Sequence, residues 1–368
     1  MMKSVLLVVF LVALTAVQIL ASSDTMWGAV LSNFGEPGDV VSFSKTLPKP
    51  VPSDSQVLVK MEASPMHPSD FLFIRGLYKP DKDTFPQVPG AEGAGVIEAI
   101  GEGVTEFKVG DRVCFWHSYN GGPESGSWAE YAAVGQEHLV HVPEGLGAAE
   151  ASQLVLNPLT MIGIMEQFGD VQPGEWVIQN AANSACGKFL VQYLKMKGIK
   201  TINVVRHAAS GEILKELGAD VVVAEDAGDD LTAAVQAATG GQGVKYAIDC
   251  VWGGGAAPAL IDTLAPGGKM VSYGILAGPA AEVNVVPLLF GMRSVQGFFV
   301  GGWLAGVDPA VVESHLDQVG AWLKDGSISL PVEAFGLEGT MEAMAHAEGP
   351  KKAQKTLLVP ERVERDEL

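Results

Sequence analysis

Residues 175–206 constrain the fold most. Glu175-Trp176-Val177-Ile178 is an apolar run of the kind that forms a buried strand, and 179–187 (Gln-Asn-Ala-Ala-Asn-Ser-Ala-Cys-Gly) is a turn of small residues. The stretch 188–197 has helical spacing, and Gly198 ends it. A second apolar run, Thr201-Ile202-Asn203-Val204-Val205, then stops at Arg206. Strand, tight turn, helix and strand make the first unit of a dinucleotide-binding sheet, in which the pyrophosphate rests on backbone N–H groups at the helix N-terminus. The residue closing the second strand meets the adenosine ribose. An acid there accepts a bond from a free 2′-hydroxyl, whereas an arginine suits a 2′-phosphate. Arg206 therefore predicts NADPH as the cofactor.

Measured against the pattern G-x-x-G-x-x-G, the turn keeps only Gly187; Ala181 and Ser184 fill the other two places. Small residues still allow close approach of the backbone, and Ser184 adds a hydroxyl. Alone, such a turn also fits an ordinary strand-to-helix connection. Further apolar runs at 218–223, 244–250 and 268–274 are separated by helical patterns. That alternation is the mark of an α/β, doubly wound parallel sheet.

The chain on either side reads differently. Short alternating strands such as 55–61 are broken by glycine and proline turns, and 93–101 leads into 109–114. These features predict a small, partly open β-barrel. After Phe299 come a helical stretch over 309–323 and a strand-like close, Lys355-Thr356-Leu357-Leu358-Val359, expected to return to the first domain. The organisation expected is therefore 24–155 for the barrel, 156–298 for the nucleotide domain and 299–361 for the return, with substrate and cofactor meeting in the cleft between.

A chain of 368 residues has room for two cores, and 48% apolar residues with 44 glycines suit a globular α/β protein. A formal charge of −19 leaves no basic stripe for a nucleic-acid partner. Three cysteines, Cys114, Cys186 and Cys250, are too scattered for a disulfide framework, and no C-x-x-C pair exists for a structural zinc. Cys186 lies in the phosphate turn, where a helix N-terminus could lower its pKa, although packing of a small residue is the simpler account.

Both ends carry addresses. Met1-Met2-Lys3-Ser4 precedes an apolar stretch, and Ala21-Ser22-Ser23 offers small residues before Asp24, so 1–23 reads as a signal peptide. The tail 362–368 closes on Arg365-Asp366-Glu367-Leu368, one conservative change from an endoplasmic-reticulum retrieval signal. Together they predict the lumen of the endoplasmic reticulum, with no stable membrane insertion of the mature chain.

Over nearly its whole mature length the chain resembles the medium-chain dehydrogenase/reductases, and most of all the mitochondrial trans-2-enoyl thioester reductases. The residues that carry the likeness are Pro65-Met66-His67-Pro68-Ser69-Asp70, Gly76-Leu77-Tyr78, Val88-Pro89-Gly90-Ala91-Glu92-Gly93, Asn157-Pro158-Leu159-Thr160, the turn at 179–187 and the run 201–206. The resemblance implies a GroES-like catalytic barrel with a Rossmann nucleotide-binding domain, and a homodimer joined through 279–296. It also implies a mitochondrial address, at odds with the two terminal signals. The zinc-using branch places a cysteine and a histidine where Met66 and Ala91 stand, so no metal is expected.

What the resemblance implies for the site is specific. Tyr78 matches the family's proton donor, in a reaction that adds hydride to the β-carbon of an enoyl thioester. Asn157 matches the asparagine bordering the nicotinamide. Asn183, Ser184, Ala185, Cys186 and Gly187 match the pyrophosphate turn, and Arg206, His207 and Ala208 the 2′-phosphate end. Tyr273, Gly274, Ile275 and Leu276 follow a strand to the nicotinamide side. Phe298, Phe299 and Val300, from the last strand, and Lys355, which matches a lysine near the end, complete the cofactor contacts that the resemblance implies. Three positions depart: the family commonly has tryptophan at Phe299, asparagine at Ala91 and aspartate at His207. A zinc-free quinone or enone reductase, and a non-catalytic NADPH-binding protein, are the competing readings.

Overall fold

The computed structural model describes residues 24–78, 84–119, 122–169, 171–349 and 354–360; the signal-peptide segment 1–23 and the tail 362–368 lie outside them. The alternating run at 55–61 forms the first half of β3 (Gln56–Pro65), preceded by an antiparallel pair, β1 (Thr25–Leu31) and β2 (Val41–Pro48). The strands β4 (Glu92–Ile100), β5 (Arg112–Trp116), β6 (Tyr131–Gly135) and β7 (Leu139–His141) follow. β3 pairs antiparallel with β4 and with β6, β4 with β5, and β5 with β7. This curled sheet encloses an apolar core that includes Val57, Val59, Phe115 and Val134.

The nucleotide domain holds β8 (Trp176–Gln179), β9 (Lys200–Val205), β10 (Val221–Ala224), β11 (Val244–Asp249), β12 (Leu264–Ser272) and β13 (Ser294–Gly297). Their order across the sheet is β10-β9-β8-β11-β12-β13, with every neighbour parallel. The order reverses direction between β8 and β11, so the ligand crevice of such a sheet lies beyond the carboxyl ends of those two strands. Two side chains lock that crevice. Asn180 donates through Nδ2 to Asp249 Oδ1 (2.6 Å) and accepts from the Cys250 N–H (2.8 Å). The chain then returns: β14 (Val332–Gly336) lies parallel to β15 (Lys355–Val359), which pairs with β3 at Pro65 and Ser64.

The helix Leu156–Phe168 joins the two halves. It is buried almost all round, with Leu159, Met161 and Ile164 fully inaccessible in one cluster with Phe189 of the nucleotide domain and Cys114 of the barrel. Each such side chain contributes about 2 kcal/mol of burial, so the halves are held by a shared core. Pro158 sits in the first turn, where a missing N–H costs nothing. The first N–H groups, of Val155 and Leu156, go instead to Glu92 Oε1 at 3.2 and 2.6 Å. Among the described residues no helix is long and apolar enough to cross a membrane.

Candidate active site

The phosphate turn is built from backbone geometry. Ser184 caps the helix Ala185–Met196, its hydroxyl accepting from the Gly187 N–H at 3.1 Å. That hydroxyl keeps its own proton for a phosphate oxygen. Gly187 is required by contact, since a Cβ there would stand 2.3 Å from the Ala182 carbonyl oxygen. Helix and strand meet so closely only at glycine, the role of the third glycine in this motif. Ala181, in the first glycine's place, has φ +46°, a left-handed conformation that costs a non-glycine residue about 1 kcal/mol. The turn keeps the glycine geometry without the glycine.

Past the end of β9, Arg206 is exposed and makes no ion pair among the described residues. His207 Nδ1 lies 3.1 Å from Asp226 Oδ2, and the other carboxylate oxygen accepts the Ala208 N–H at 2.8 Å. The Asp226 N–H donates to the Arg206 carbonyl (3.1 Å). The bonds from Ala208 and His207 hold the Asp226 carboxyl below its ordinary range. Arg206 and His207 thus lie just past the end of β9, and the Ala208 N–H is already engaged.

Tyr273 follows β12; burial first, and then the nearby thiols of Cys250 and Cys186, raise its hydroxyl well above its ordinary value. Cys186 donates to Asn157 Oδ1 at 3.2 Å, and the buried Asn157 Nδ2 has no partner among the described residues. Burial pushes both thiols up to about 12, so the helix N-terminus does not make Cys186 a thiolate. Gly274 passes so near that an added Cβ would be 2.7 Å from the Cys250 carbonyl oxygen. Ile275 is half-buried behind it and Leu276 is exposed. The orphaned amide and the two glycine contacts at Gly187 and Gly274 suit a bound dinucleotide.

One expectation needs correction. β13 ends at Gly297, so Phe298, Phe299 and Val300 are not strand residues. Phe298 packs on Trp303, Phe299 stands 60% exposed, and Val300 opens the helix Val300–Leu304 and is buried in the core shared by the two domains. Glycines at 301 and 302 leave the strand pattern without a partner strand, and the chain turns into a helix.

The barrel supplies the facing wall. Tyr78 follows the helix Pro68–Ile74, and its ring lies parallel to Tyr119 at 6.2 Å; Tyr119 in turn stacks on Phe73 at 4.5 Å. Burial and, next, the electrostatic effect of Cys250, just past the end of β11, raise the Tyr78 hydroxyl above its ordinary value, so the two groups are within electrostatic reach. Tyr119 donates to Asp70 Oδ1 (2.8 Å), and Asp70 Oδ2 accepts the His67 N–H (2.6 Å).

Behind this wall lies a charged cluster that sequence reasoning did not assemble. The Lys355 ammonium is 3.0 Å from His67 Nδ1, and His67 Nε2 is 2.6 Å from Glu92 Oε2. An ammonium only donates, so Nδ1 accepts and Nε2–H donates to Glu92. Burial raises the carboxyls of Glu92 to about 8 and Asp70 to about 6. Lys355 is therefore directed into the interior, within electrostatic reach of Cys186. His67 is 2% exposed. Both its nitrogens are engaged, Met66 and Ala91 offer no ligand, and among the described residues no group of three or more His, Cys, Asp or Glu could hold a metal. These side chains do not fit a catalytic zinc, and no step is routed through one.

Fold and site together define a two-domain medium-chain dehydrogenase/reductase, an oxidoreductase with its cleft between a GroES-like barrel and a Rossmann sheet. Residues 53–144 match the model of the alcohol dehydrogenase GroES-like domain, and 185–314 that of the zinc-binding dehydrogenases. The chain belongs to the family of the enoyl-[acyl-carrier-protein] reductases. The mitochondrial protein of that name from Rattus norvegicus is 31% identical over 343 residues, covering 89% of this chain and 87% of its own. Its counterpart from Homo sapiens is 34% identical over 289 residues, 74% and 72% of the two chains. Among solved structures, a quinone oxidoreductase from Pseudomonas syringae is similar at a TM-score of 0.82 and 27% identity, covering 91% of this chain and all of its own (100%). A mycobacterial protein solved with NADPH reaches 0.80 at 25% identity, covering 91% and 100%.

Proposed function

We propose that this protein uses NADPH to reduce the trans-2,3 double bond of enoyl thioesters, with Tyr78 as the proton donor. The observation that carries the reading is the position of Tyr78: half-exposed, protonated, held by the Phe73–Tyr119 stack and within electrostatic reach of Cys250. Bound NADPH supplies hydride to the β-carbon. The Tyr78 hydroxyl gives its proton to the α-carbon as the double-bond electrons collect there, and its oxygen regains a proton from solvent. A raised pKa suits this role, because the phenol stays protonated throughout the neutral range. Asn183 to Gly187 hold the pyrophosphate, Arg206 the 2′-phosphate, and Asn157 with Tyr273 to Leu276 the nicotinamide. Phe298 and Phe299 line the acyl side, Val300 backs them, and Lys355 acts through His67.

The relatives favour the thioester; the structural neighbours keep quinones and enones as the second substrate class. NADPH oxidation followed with crotonyl- to hexadecenoyl-thioesters and with simple quinones separates them. The expected result is thioester turnover that drops roughly a hundredfold in Tyr78→Phe, the usual worth of general acid catalysis, with NADPH binding unchanged. Turnover confined to quinones, or a Tyr78→Phe variant as active as the parent on thioesters, defeats the reading. Binding of NADPH without turnover of either class points to the non-catalytic alternative.

Three further assignments belong to the same proposal. The division at 24–155, 156–298 and 299–361 is supported by the pairing of β15 with β3. A lumenal location rests on the two terminal signals, against relatives whose names place them in mitochondria. A tagged chain found in mitochondria, and indifferent to deletion of the last four residues, would overturn it. Association as a homodimer is supported by the open edge of β13 beside the exposed Leu289, Phe290 and Met292.

A further inference from the structure

We infer that Tyr119, anchored on the buried Asp70, is a positioning residue for Tyr78 and decides which face of the substrate's α-carbon receives the proton. The inference rests on the reading of Tyr78 as donor and deepens it. Tyr78 stands two residues past Gly76, a left-handed turn position with φ +78°, and is 43% exposed. Among the described residues no hydrogen bond restrains its hydroxyl. Its ring is oriented instead by a parallel neighbour, Tyr119, at 6.2 Å and 6°. Tyr119 is itself held at three points. Its hydroxyl donates to Asp70 Oδ1 at 2.8 Å, and its N–H donates to His117 Nδ1 at 3.2 Å. His117 Nε2–H donates to the Ser125 carbonyl at 3.1 Å, which leaves Nδ1 as the acceptor. The Tyr119 ring lies on Phe73 at 4.5 Å and 10°; Phe73 meets Phe34 edge to face, and Phe34 meets Phe85 in the same way. Asp70 completes the anchor, fully buried in the first turn of the helix Pro68–Ile74 with its other oxygen on the His67 N–H.

Tyr119 takes φ +61°. That conformation is costly for a bulky residue, persists only where the surroundings over-determine it, and clusters at sites that clamp a ligand. A tyrosine that only filled the barrel wall needs neither the strained backbone nor a bond to a buried carboxyl. The chemistry gives the restraint a consequence. Once the β-carbon has taken hydride, the π electrons lie toward the thioester carbonyl and the α-carbon is planar, with two open faces. The Tyr78 O–H bond then breaks, its proton forms the Cα–H bond on the face it reaches, and the phenolate regains a proton from water. Water alone protonates either face; a donor held in one orientation selects one. The parallel ring of Tyr119 limits the swing of Tyr78, and the bond to Asp70 carries that restraint back into the buried core of the barrel.

The test is reduction of a crotonyl thioester with NADPH in deuterium oxide by the full mature chain, with the configuration of the α-deuterium read by NMR of a chiral derivative. The parent is expected to give one epimer in an excess of roughly ten to one. Tyr119→Leu, which removes ring and hydroxyl, should bring the ratio toward equality and lower kcat roughly tenfold, with KM within about twofold. Tyr119→Phe keeps the ring and loses the bond to Asp70, and should fall between the two. Selectivity like the parent's in Tyr119→Leu, whatever its kcat, overturns the positioning role, and so does a parent that gives both epimers equally. If Tyr119→Leu melts well below the parent, Tyr119→Phe decides, and selectivity equal to the parent's then overturns the proposal. A Tyr78→Phe variant as active as the parent on thioesters overturns instead the donor assignment itself, and the positioning role falls with it.

Discussion

The carboxyl group of Glu92 closes two structures at once. Oε1 accepts the first N–H groups of the joining helix, and Oε2 accepts from His67, which carries the Lys355 ammonium on its other nitrogen. Removing it strands two backbone donors and the buried His67 Nε2–H, so Glu92→Ala is expected to lose about 3–5 kcal/mol of stability in urea unfolding, at about 1–3 kcal/mol for each buried donor left unpaired; a loss below about 1 kcal/mol contradicts the network. Asp70 gives a pH prediction. Its carboxyl is raised from 3.8 to about 6, chiefly by burial, so between those values the folded chain keeps a proton that the unfolded chain has released. Folding stability therefore falls as pH climbs from about 4 to about 6, and the cost is complete above that, some 2–3 kcal/mol for this group alone. Asp70→Asn keeps an acceptor for the His67 N–H and removes the titration. Melting curves of the variant should fall less over that interval than those of the parent, and parallel curves refute the assignment.

At the level of elements, the strand-turn-helix at 175–197 was legible because its information is local: apolar period, small turn residues, a terminating glycine. Nothing in the letters showed that Ala181 would take the left-handed φ of the glycine it replaces. Ala181→Gly removes that strain at some cost in chain entropy, and a net gain of about 0.5 kcal/mol is expected in thermal unfolding. A loss there would show that the Ala181 methyl packs usefully. Gly187→Ala drives a methyl into the Ala182 carbonyl, and should weaken NADPH binding at least tenfold while costing 1–3 kcal/mol. The clusters were the illegible part. His67, Asp70 and Glu92 stood in quoted motifs, but their burial depends on β4 and β15 flanking β3 and on the joining helix. Asp226 meets His207 only because β9 and β10 end side by side. Phe298 to Val300 lie past Gly297, the last residue of β13, an end that the letters of 294–300 do not mark.

For the whole molecule, the proposed homodimer would form at the open edge of β13. Among the described residues β13 pairs only with β12, and the preceding helix Val285–Gly291 has no buried residue. Leu289, Phe290 and Met292 are 65%, 80% and 77% exposed. An unprotected edge strand beside such a patch is a pairing surface, and a second copy laid against it in two-fold fashion satisfies both. Each copy carries −19, so long-range repulsion opposes what the patch favours. Salt screens that repulsion, with a Debye length that falls from about 30 Å at 0.01 M to about 8 Å at 0.15 M. The dimer should therefore tighten as ionic strength rises over that interval, the reverse of an interface built on ion pairs. Leu289→Asp with Phe290→Asp should give a monomer in light scattering at every salt concentration. Because β13 leads directly into Phe298 and Phe299, losing the partner frees one wall of the acyl side. The monomeric variant is then expected to show a several-fold higher KM for the thioester with little change for NADPH. A parent that stays monomeric at micromolar concentration in high salt, or a double variant that still dimerises, removes this edge as the interface.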